Sequence, residues 1–173
     1  MGPLLTYGAP MMDRRFAPIP LAPLAPDLFV GPAPLAPEDI ETLGTLGITR
    51  LLSLQTDRDL GNFGLRWSSL WQLHLAKGIQ ATRVPIVDFD KNDFARRLDE
   101  AVAALDELIA DSASPNRVYV HCTAGINRST TIVLAWLARR FTFEQADETL
   151  MSAHPGAIPY RDLVTRWLKK SGR

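Results

Sequence analysis

HCTAGINRST, residues 121–130, contains the single cysteine of the 173-residue chain. RVYV, residues 117–120, precedes it and has the pattern of a buried strand. STTIVLAWLARR, residues 129–140, follows and is apolar and long enough for a core helix. The cysteine is therefore predicted to lie where a strand turns into a helix. The first amides of a helix have no partner within it, so this loop is suited to hold an anion.

The charge and cysteine content bound the class of protein. Nineteen basic and nineteen acidic residues give zero net charge, whereas broad binding to nucleic acid or acidic membranes requires a basic excess. A single cysteine excludes an internal disulfide and a multi-cysteine zinc site. The longest apolar run, residues 132–138, is too short to cross a bilayer, and the N-terminus lacks a signal-peptide pattern. We expect a cytoplasmic monomer without nucleic-acid or membrane partners.

The N-terminal segment is rich in proline. Nine of the thirteen prolines fall within the first 37 residues, a density that favours an extended path over helix or central strand. Residues 1–26 are predicted to be a proline-rich arm along the domain surface. PLAPLAP, residues 20–26, also contains the pattern of a proline-recognition ligand. Residues 27–173 are expected to form one catalytic domain.

Strand and helix patterns alternate through residues 27–173. Strands are predicted at residues 27–31, 49–56, 81–86 and 117–120. Helices are predicted at residues 37–47, 68–77, 94–110, after the cysteine loop, at 143–152 with a capping box from Thr142 and Gln145, and at 159–170. This alternation indicates an α/β domain with a central, mainly parallel twisted sheet flanked by helices.

The cysteine loop has residues suited to phosphate chemistry. A thiolate is a good nucleophile towards phosphorus, and a helix N-terminus favours the anionic form of Cys122. The planar guanidinium of Arg128 can bind two phosphate oxygens at once, Gly125 relieves the turn, and Ser129 can hydrogen-bond the sulfur as it leaves. The predicted phosphate cradle consists of Thr123, Ala124, Gly125, Ile126, Asn127 and Arg128.

This loop resembles the signature of the cysteine-dependent protein phosphatases, HCxxGxxR followed by Ser or Thr, at every position. The resemblance implies a phosphocysteine at Cys122 that water hydrolyses without metal or other cofactor. His121 is expected to orient the loop by hydrogen bonding rather than to act as acid or base. The size of the domain resembles the dual-specificity branch, which implies a dual-specificity-phosphatase-like fold.

The family takes its general acid from an aspartate in a loop after an earlier strand. VPIVDFDKND, residues 84–93, offers Asp88 and Asp90 in that place. Matching PIVDFD to the family selects Asp88, while Asp90 is suited to the turn into the next helix. Both remain candidates from the residues alone.

Three phrases resemble the glucan phosphatases of the laforin and plant starch type: residues 29–43, 51–64 and 85–90. In that group the aromatic residue after the acid lines a glucan groove, a position held here by Phe89. Trp67 and Trp71 are expected in the core, with sugar stacking as the alternative. Asn127 departs from that group, which has glycine there, and we expect no carbohydrate-binding module beside the predicted domain.

The expected function is therefore a dual-specificity protein phosphatase acting on phosphotyrosine and phosphoserine or phosphothreonine, with a glucan phosphatase as the alternative. Asparagine before the arginine also resembles RNA 5′-triphosphatases, but a basic stripe is lacking. A catalytically inactive phosphate-binding module would have lost the nucleophile, the arginine or the acid, and all three are present. His74 and His154 are expected to be surface or packing residues.

Overall fold

A five-stranded sheet forms the centre of the protein in the computed structural model, which describes residues 16–110 and 116–172. Its strands are β1 (Ile19–Leu21), β2 (Ala25–Gly31), β3 (Ile48–Ser53), β4 (Gln80–Arg83) and β5 (Arg117–His121), in the spatial order β1-β2-β5-β3-β4. Strands β2, β5, β3 and β4 are parallel, and β1 is antiparallel to β2. The predicted α/β domain with a mainly parallel sheet is confirmed.

Helices cover both faces of the sheet. They are α1 (Pro37–Thr45), α2 (Asp57–Gly61), α3 (Trp67–Ala76), α4 (Lys91–Ala110), α5 (Arg128–Ala138), α6 (Phe143–Ala153) and α7 (Arg161–Lys170). Side chains of α4, α5, α6 and α7 share the larger hydrophobic cluster, and those of α1 share the smaller one. Every residue of α5 is buried. That helix is the centre of the larger layer, which explains why its sequence is apolar on all sides.

Strand β5 contributes side chains to both hydrophobic clusters because successive side chains alternate between the faces of a sheet. Val118 and Val120 belong to the larger cluster, and Tyr119 belongs to the smaller one. The strand lies between β2 and β3. The loop that follows it therefore emerges at the carboxyl edge of the parallel sheet, where ligands of open α/β folds bind.

The proline-rich segment differs from its prediction. Residues 19–21 form the edge strand β1, with Ile19 opposite Val30, and Leu21 is fully buried. The expected boundary after residue 26 falls inside β2. Proline is compatible with these positions because an edge strand has one side on which no ladder hydrogen bond is needed. Residues 1–15 of the predicted arm lie outside the described residues.

The other elements lie close to their predictions, with four differences. Helix α4 begins at Lys91, three residues before its predicted start. The strands predicted at residues 49–56 and 81–86 end at Ser53 and Arg83. The short helix α2 was not predicted. The Thr142 capping box is confirmed: Gln145 N–H donates to Thr142 Oγ1 at 3.2 Å. No helix within the described ranges is long and apolar enough to span a bilayer.

Candidate active site

Cys122 follows β5 directly and its sulfur lies inside the curled loop. Only 2% of the residue is exposed. The Gly125 amide donates to Cys122 Sγ at 3.2 Å, and Ser129 Oγ lies 3.3 Å from the same sulfur. Donors at the sulfur stabilise negative charge there, both in the attacking thiolate and when the sulfur becomes a leaving group. The structure thus brings together the predicted nucleophile and Ser129.

Gly125 meets two requirements at the turn of the loop. Its φ is +71°, in the left-handed region that favours glycine. A Cβ atom there would lie 2.3 Å from Gly31 C and 2.5 Å from Pro32 N, so the loop packs directly against the end of β2. No larger residue fits without moving one of the two backbones. The approach holds the cradle against the sheet edge.

Arg128 is the first residue of α5, and its side chain is almost fully buried. Nη1 donates to Asp59 Oδ2 at 2.7 Å and to Ile86 O at 2.9 Å. Nη2 donates to Thr123 Oγ1 at 3.3 Å. Two acceptors therefore fix Nη1, which leaves the edge formed by Nε and Nη2: Nη2 reaches the loop at Thr123, and Nε has no hydrogen-bond partner among the described residues. That edge is the bidentate fork that suits two phosphate oxygens.

Asp59, on α2, was missed in the sequence. Its carboxylate accepts from Arg128 and also from the Thr56 amide at 2.8 Å, so it both orients the arginine and closes the capping box of α2. Burial raises the pKa of Asp59, but the hydrogen bonds from Arg128 and Thr56 outweigh it and leave the pKa below its ordinary value. The TDRD capping pattern at residues 56–59 predicts the helix start but not the partner.

The two candidate acids have different surroundings. Asp88 Oδ1 lies 3.3 Å from Arg128 Nε, within ion-pair distance although the angle is not that of a hydrogen bond. Asp90 Oδ1 instead accepts from the Asp93 amide at 2.9 Å, at the start of α4. Asp93 in turn accepts from the Val87 amide at 2.8 Å and ties the acid loop to the helix. Asp88 lies beside the cradle arginine, and Asp90 caps a helix.

His121 is buried at the end of β5, and its Nδ1 lies 2.9 Å from Cys122 O. Because a carbonyl only accepts, Nδ1 carries the proton. The ring also stacks on Tyr119 with centroids 5.8 Å apart. This hydrogen bond holds the His121 ring against the carbonyl of the predicted nucleophile. Gln55, a second residue missed in the sequence, donates from Nε2 to Thr123 Oγ1 at 3.0 Å and braces the start of the loop.

The remaining cradle residues lie on the outer part of the loop. Ala124 and Ile126 are exposed. The Asn127 side chain donates from Nδ2 to Ile158 O at 2.7 Å, in the segment that links α6 to α7. His154 was expected to be a surface or packing residue; instead its Nε2 lies 2.8 Å from Gly125 O. The expectation for His154 was wrong because its partner lies 29 positions away in the chain, and no local sequence pattern indicates such a contact.

The aromatic residues proposed for sugar stacking lie in different environments. Phe89, beside Asp88, has φ +59° and is 88% exposed. Trp67 packs against the smaller hydrophobic cluster, with the Arg83 guanidinium 5.3 Å from its ring centroid. Trp71 is 42% exposed rather than in the core. His74 is buried and serves as a packing residue, as predicted. Residues 16–110 and 116–172 contain no group of three or more His, Cys, Asp or Glu placed to hold a metal ion.

Comparison with known proteins agrees with this geometry. Residues 28–160 match the dual specificity phosphatase catalytic domain family. The chain is 33% identical over 139 residues to phosphoglucan phosphatase DSP4, amyloplastic, of Castanea sativa, a match covering 79% of this chain and 35% of that protein. It is 33% identical over 132 residues to dual specificity protein phosphatase 1-A of Xenopus laevis, covering 76% and 30%. It thus spans about a third of these two relatives.

A relative of similar length is dual specificity phosphatase 28 of Mus musculus, 30% identical over 151 residues, which cover 86% of this chain and 82% of that protein. The crystal structure of human DUSP28 shares the fold with a TM-score of 0.63 at 22% identity, over 90% of this chain and 99% of that one. The Yvh1 phosphatase domain from Chaetomium thermophilum has a TM-score of 0.68 at 21% identity, over 90% and 98%. Sequence, fold and the cysteine loop together show that this chain belongs to the dual specificity phosphatase catalytic domain family.

Proposed function

We propose that this protein is a dual-specificity protein phosphatase that favours phosphotyrosine. Cys122 Sγ attacks phosphorus while the amides of residues 123–127 and Arg128 hold the three other oxygens. The bond between phosphorus and the leaving oxygen breaks, and Asp88 gives that oxygen its proton. Water then attacks the phosphocysteine, Asp88 takes the water proton, and the thiolate leaves with a hydrogen bond from Ser129.

The observation that supports a protein substrate is the apolar rim of the site, defined by four exposed side chains. Val87 and Phe89 flank Asp88 on the acid loop. Ile126 lies on the cysteine loop and Ile158 on the segment between α6 and α7, and Ile158 N–H donates to Ile126 O at 2.8 Å. Recognition of an aromatic ring or an aliphatic flanking residue uses such surfaces. A polysaccharide chain presents many hydroxyl groups, which need polar partners that the four rim side chains do not provide.

A glucan substrate is the second candidate, and one feature favours it. Phe89 presents an exposed aromatic side chain directly beside the candidate acid, where a sugar could stack. The relative from Castanea sativa is named a phosphoglucan phosphatase. Against this, the face of Trp67 is already paired with Arg83, so it is less suited to a sugar. Phosphotyrosine therefore remains the favoured substrate.

The test measures initial rates of phosphate release from a phosphotyrosine peptide, a phosphothreonine peptide and phosphorylated amylopectin at matched phosphate concentrations. We expect the phosphotyrosine peptide to be hydrolysed fastest. Faster release from amylopectin would reverse the proposal, and Phe89→Ala should then lower glucan hydrolysis far more than hydrolysis of a small aryl phosphate. Leu75→Ala is the control, since it removes an exposed apolar side chain from α3 instead.

A further inference from the structure

The direction of each amide in the phosphate cradle is set by the carbonyl before it. A trans peptide is planar, and its C=O and the following N–H point in opposite directions. A partner that holds a loop carbonyl outward therefore turns the next amide inward, towards the bound anion. Thr123 O shows the principle: it accepts from the Ala33 amide at 3.1 Å, which fixes the Ala124 N–H on the opposite side.

Two further loop carbonyls are held by the segment between α6 and α7. Gly125 O is bound by His154 Nε2 at 2.8 Å, and Ile126 O is bound by the Ile158 amide at 2.8 Å. These bonds fix the amides of Ile126 and Asn127. Asn127 strengthens the same contact, because its side chain donates back to Ile158 O at 2.7 Å.

His154 differs from the Ala33 and Ile158 amides because it acts through a side chain, as does Thr130 Oγ1, which donates to Ile126 O at 2.6 Å. His154 Nε2 carries a proton, since the carbonyl it meets can only accept. The ring position is defined by a turn in which the Ala157 amide donates to His154 O at 3.0 Å. Gly156 lies against the ring: a Cβ atom there would be 3.4 Å from Cε1. The histidine ring is thus held where its Nε2 can donate to Gly125 O.

The peptide plane between Gly125 and Ile126 is the one whose rotation most needs to be restrained. Glycine populates many more backbone conformations than other residues, so rotation of this plane has little steric resistance of its own. A rotated plane would turn the Gly125 carbonyl towards the anion and the Ile126 amide away from it. An inward carbonyl would repel phosphate oxygens as well as remove a donor.

We propose that His154 is a positioning residue that locks the Gly125–Ile126 peptide in its phosphate-binding orientation. The inference deepens the cysteine-phosphatase site and does not depend on which phosphomonoester is the substrate. Inorganic phosphate, a competitive product, is therefore the probe, so a wrong substrate assignment cannot affect the outcome.

The experiment compares His154→Leu, His154→Asn and His154→Gln by the inhibition constant of inorganic phosphate and by kcat and KM for an aryl phosphate. Glutamine can reach Gly125 O with an amide donor; leucine has no donor and asparagine is too short. We expect His154→Leu and His154→Asn to raise the inhibition constant about tenfold, as for loss of one aligned donor, and His154→Gln to stay within about threefold. Ser152→Leu, exposed on α6, is the control.

Thermal unfolding separates this role from a general effect on folding, because a purely structural residue would change the melting temperature and leave phosphate binding by the folded protein unchanged. If His154→Leu fails to fold, His154→Asn decides. An unchanged inhibition constant in folded His154→Asn would overturn the proposal. So would an increase in His154→Gln as large as in His154→Asn, since the donor would then not matter.

Discussion

Asp59 Oδ2 lies 2.7 Å from Arg128 Nη1, although 69 positions separate the two residues. The contact uses Nη1 and leaves the Nε and Nη2 edge of the guanidinium available for phosphate oxygens. A side chain with several rotatable bonds is thereby held in one geometry before any phosphate arrives, which lowers the entropy cost of binding. Asp59 is a positioning residue for the arginine.

Asp59→Asn should lower kcat/KM for an aryl phosphate by about tenfold to a hundredfold, because a neutral amide replaces a charge-assisted acceptor. Steady-state kinetics with an aryl phosphate measures this effect. Asp57→Asn is the matched control: it lies on the same short helix but pairs with Arg83 rather than with the cradle. Equal losses in the two variants would show that damage to α2, and not the orientation of Arg128, is the cause.

Cys122→Ser should abolish turnover while keeping affinity for inorganic phosphate, because the loop amides and Arg128 remain in place. A hydroxyl is far less ionised than a thiol at neutral pH, so the nucleophile is lost but the cradle is not. Stopped assays over long incubation and phosphate titration by calorimetry test both halves. Measurable multiple turnover by this variant would contradict the assignment of the nucleophile.

Asp88→Asn should lower kcat by about 10²–10⁴, most strongly for substrates with poor leaving groups, which is the usual contribution of a positioned acid. Asp90→Asn should change kcat and stability little, because asparagine caps a helix about as well as aspartate and its Oδ1 can still accept from the Asp93 amide. Initial rates on aryl phosphates with good and poor leaving groups measure both variants. A larger fall in kcat for Asp90→Asn than for Asp88→Asn would reverse the two roles.

Gly125→Ala should remove activity, because the new Cβ would meet the backbone of Gly31 and Pro32. Gly78→Ala is a matched control: its φ is +75°, close to that of Gly125, but nothing lies within 4 Å of the added atom. The control should lose about 1 kcal/mol of stability from backbone strain and keep its kcat. Comparison of kcat and thermal midpoints separates conformational strain from steric displacement of the loop.

Burial lowers the pKa of His74 from 6.5 to about 4, and Nδ1 has no hydrogen-bond partner. The unfolded chain takes up a proton below pH 6.5, whereas the folded protein resists until about pH 4. The free energy of unfolding therefore has its full value above pH 6.5 and falls as the pH drops towards 4, because the unfolded chain binds a proton that the folded protein does not. The fall over this range amounts to ~3 kcal/mol.

Urea unfolding of the wild-type protein and of His74→Leu at about pH 7 and pH 5 measures this loss. The wild-type free energy of unfolding should fall more steeply between the two conditions, because leucine has no proton to bind. The difference between the two proteins in this change with pH isolates His74 from carboxylates that titrate in the same range. An equal change in both proteins would mean that His74 is as easily protonated in the folded protein as in the unfolded one.

The part of the site that is local in sequence was predictable. Strand β5, the loop and helix α5 are consecutive, and each has a composition that matches its structure. The loop residues needed only their spacing from Cys122 to indicate an anion cradle. Strand β1 was not predictable in the same way, because its place at the edge of the sheet is what permits its proline.

The supporting residues could not be assigned from the sequence because they reach the site only through the tertiary fold. His154 carries no motif, and Asp59 carries a helix-capping pattern that explains it without reference to Arg128. Their partners are the carbonyl of a glycine and the guanidinium of an arginine, which leave no mark on the local pattern. Prediction from spacing identifies the groups that touch phosphate and misses the groups that hold them still.

Because the chain has a single thiol, chemical modification of that thiol can measure the concentration of intact active sites. Because Cys122 lies in a cradle suited to anions and no other cysteine exists in the 173 residues, a negatively charged alkylating reagent such as iodoacetate should modify one atom. The intact mass then rises by one adduct, and the part of this modification that inorganic phosphate prevents counts the molecules whose cradle is correctly formed. That count gives each variant an active-site concentration, against which its rate can be expressed per competent molecule rather than per milligram.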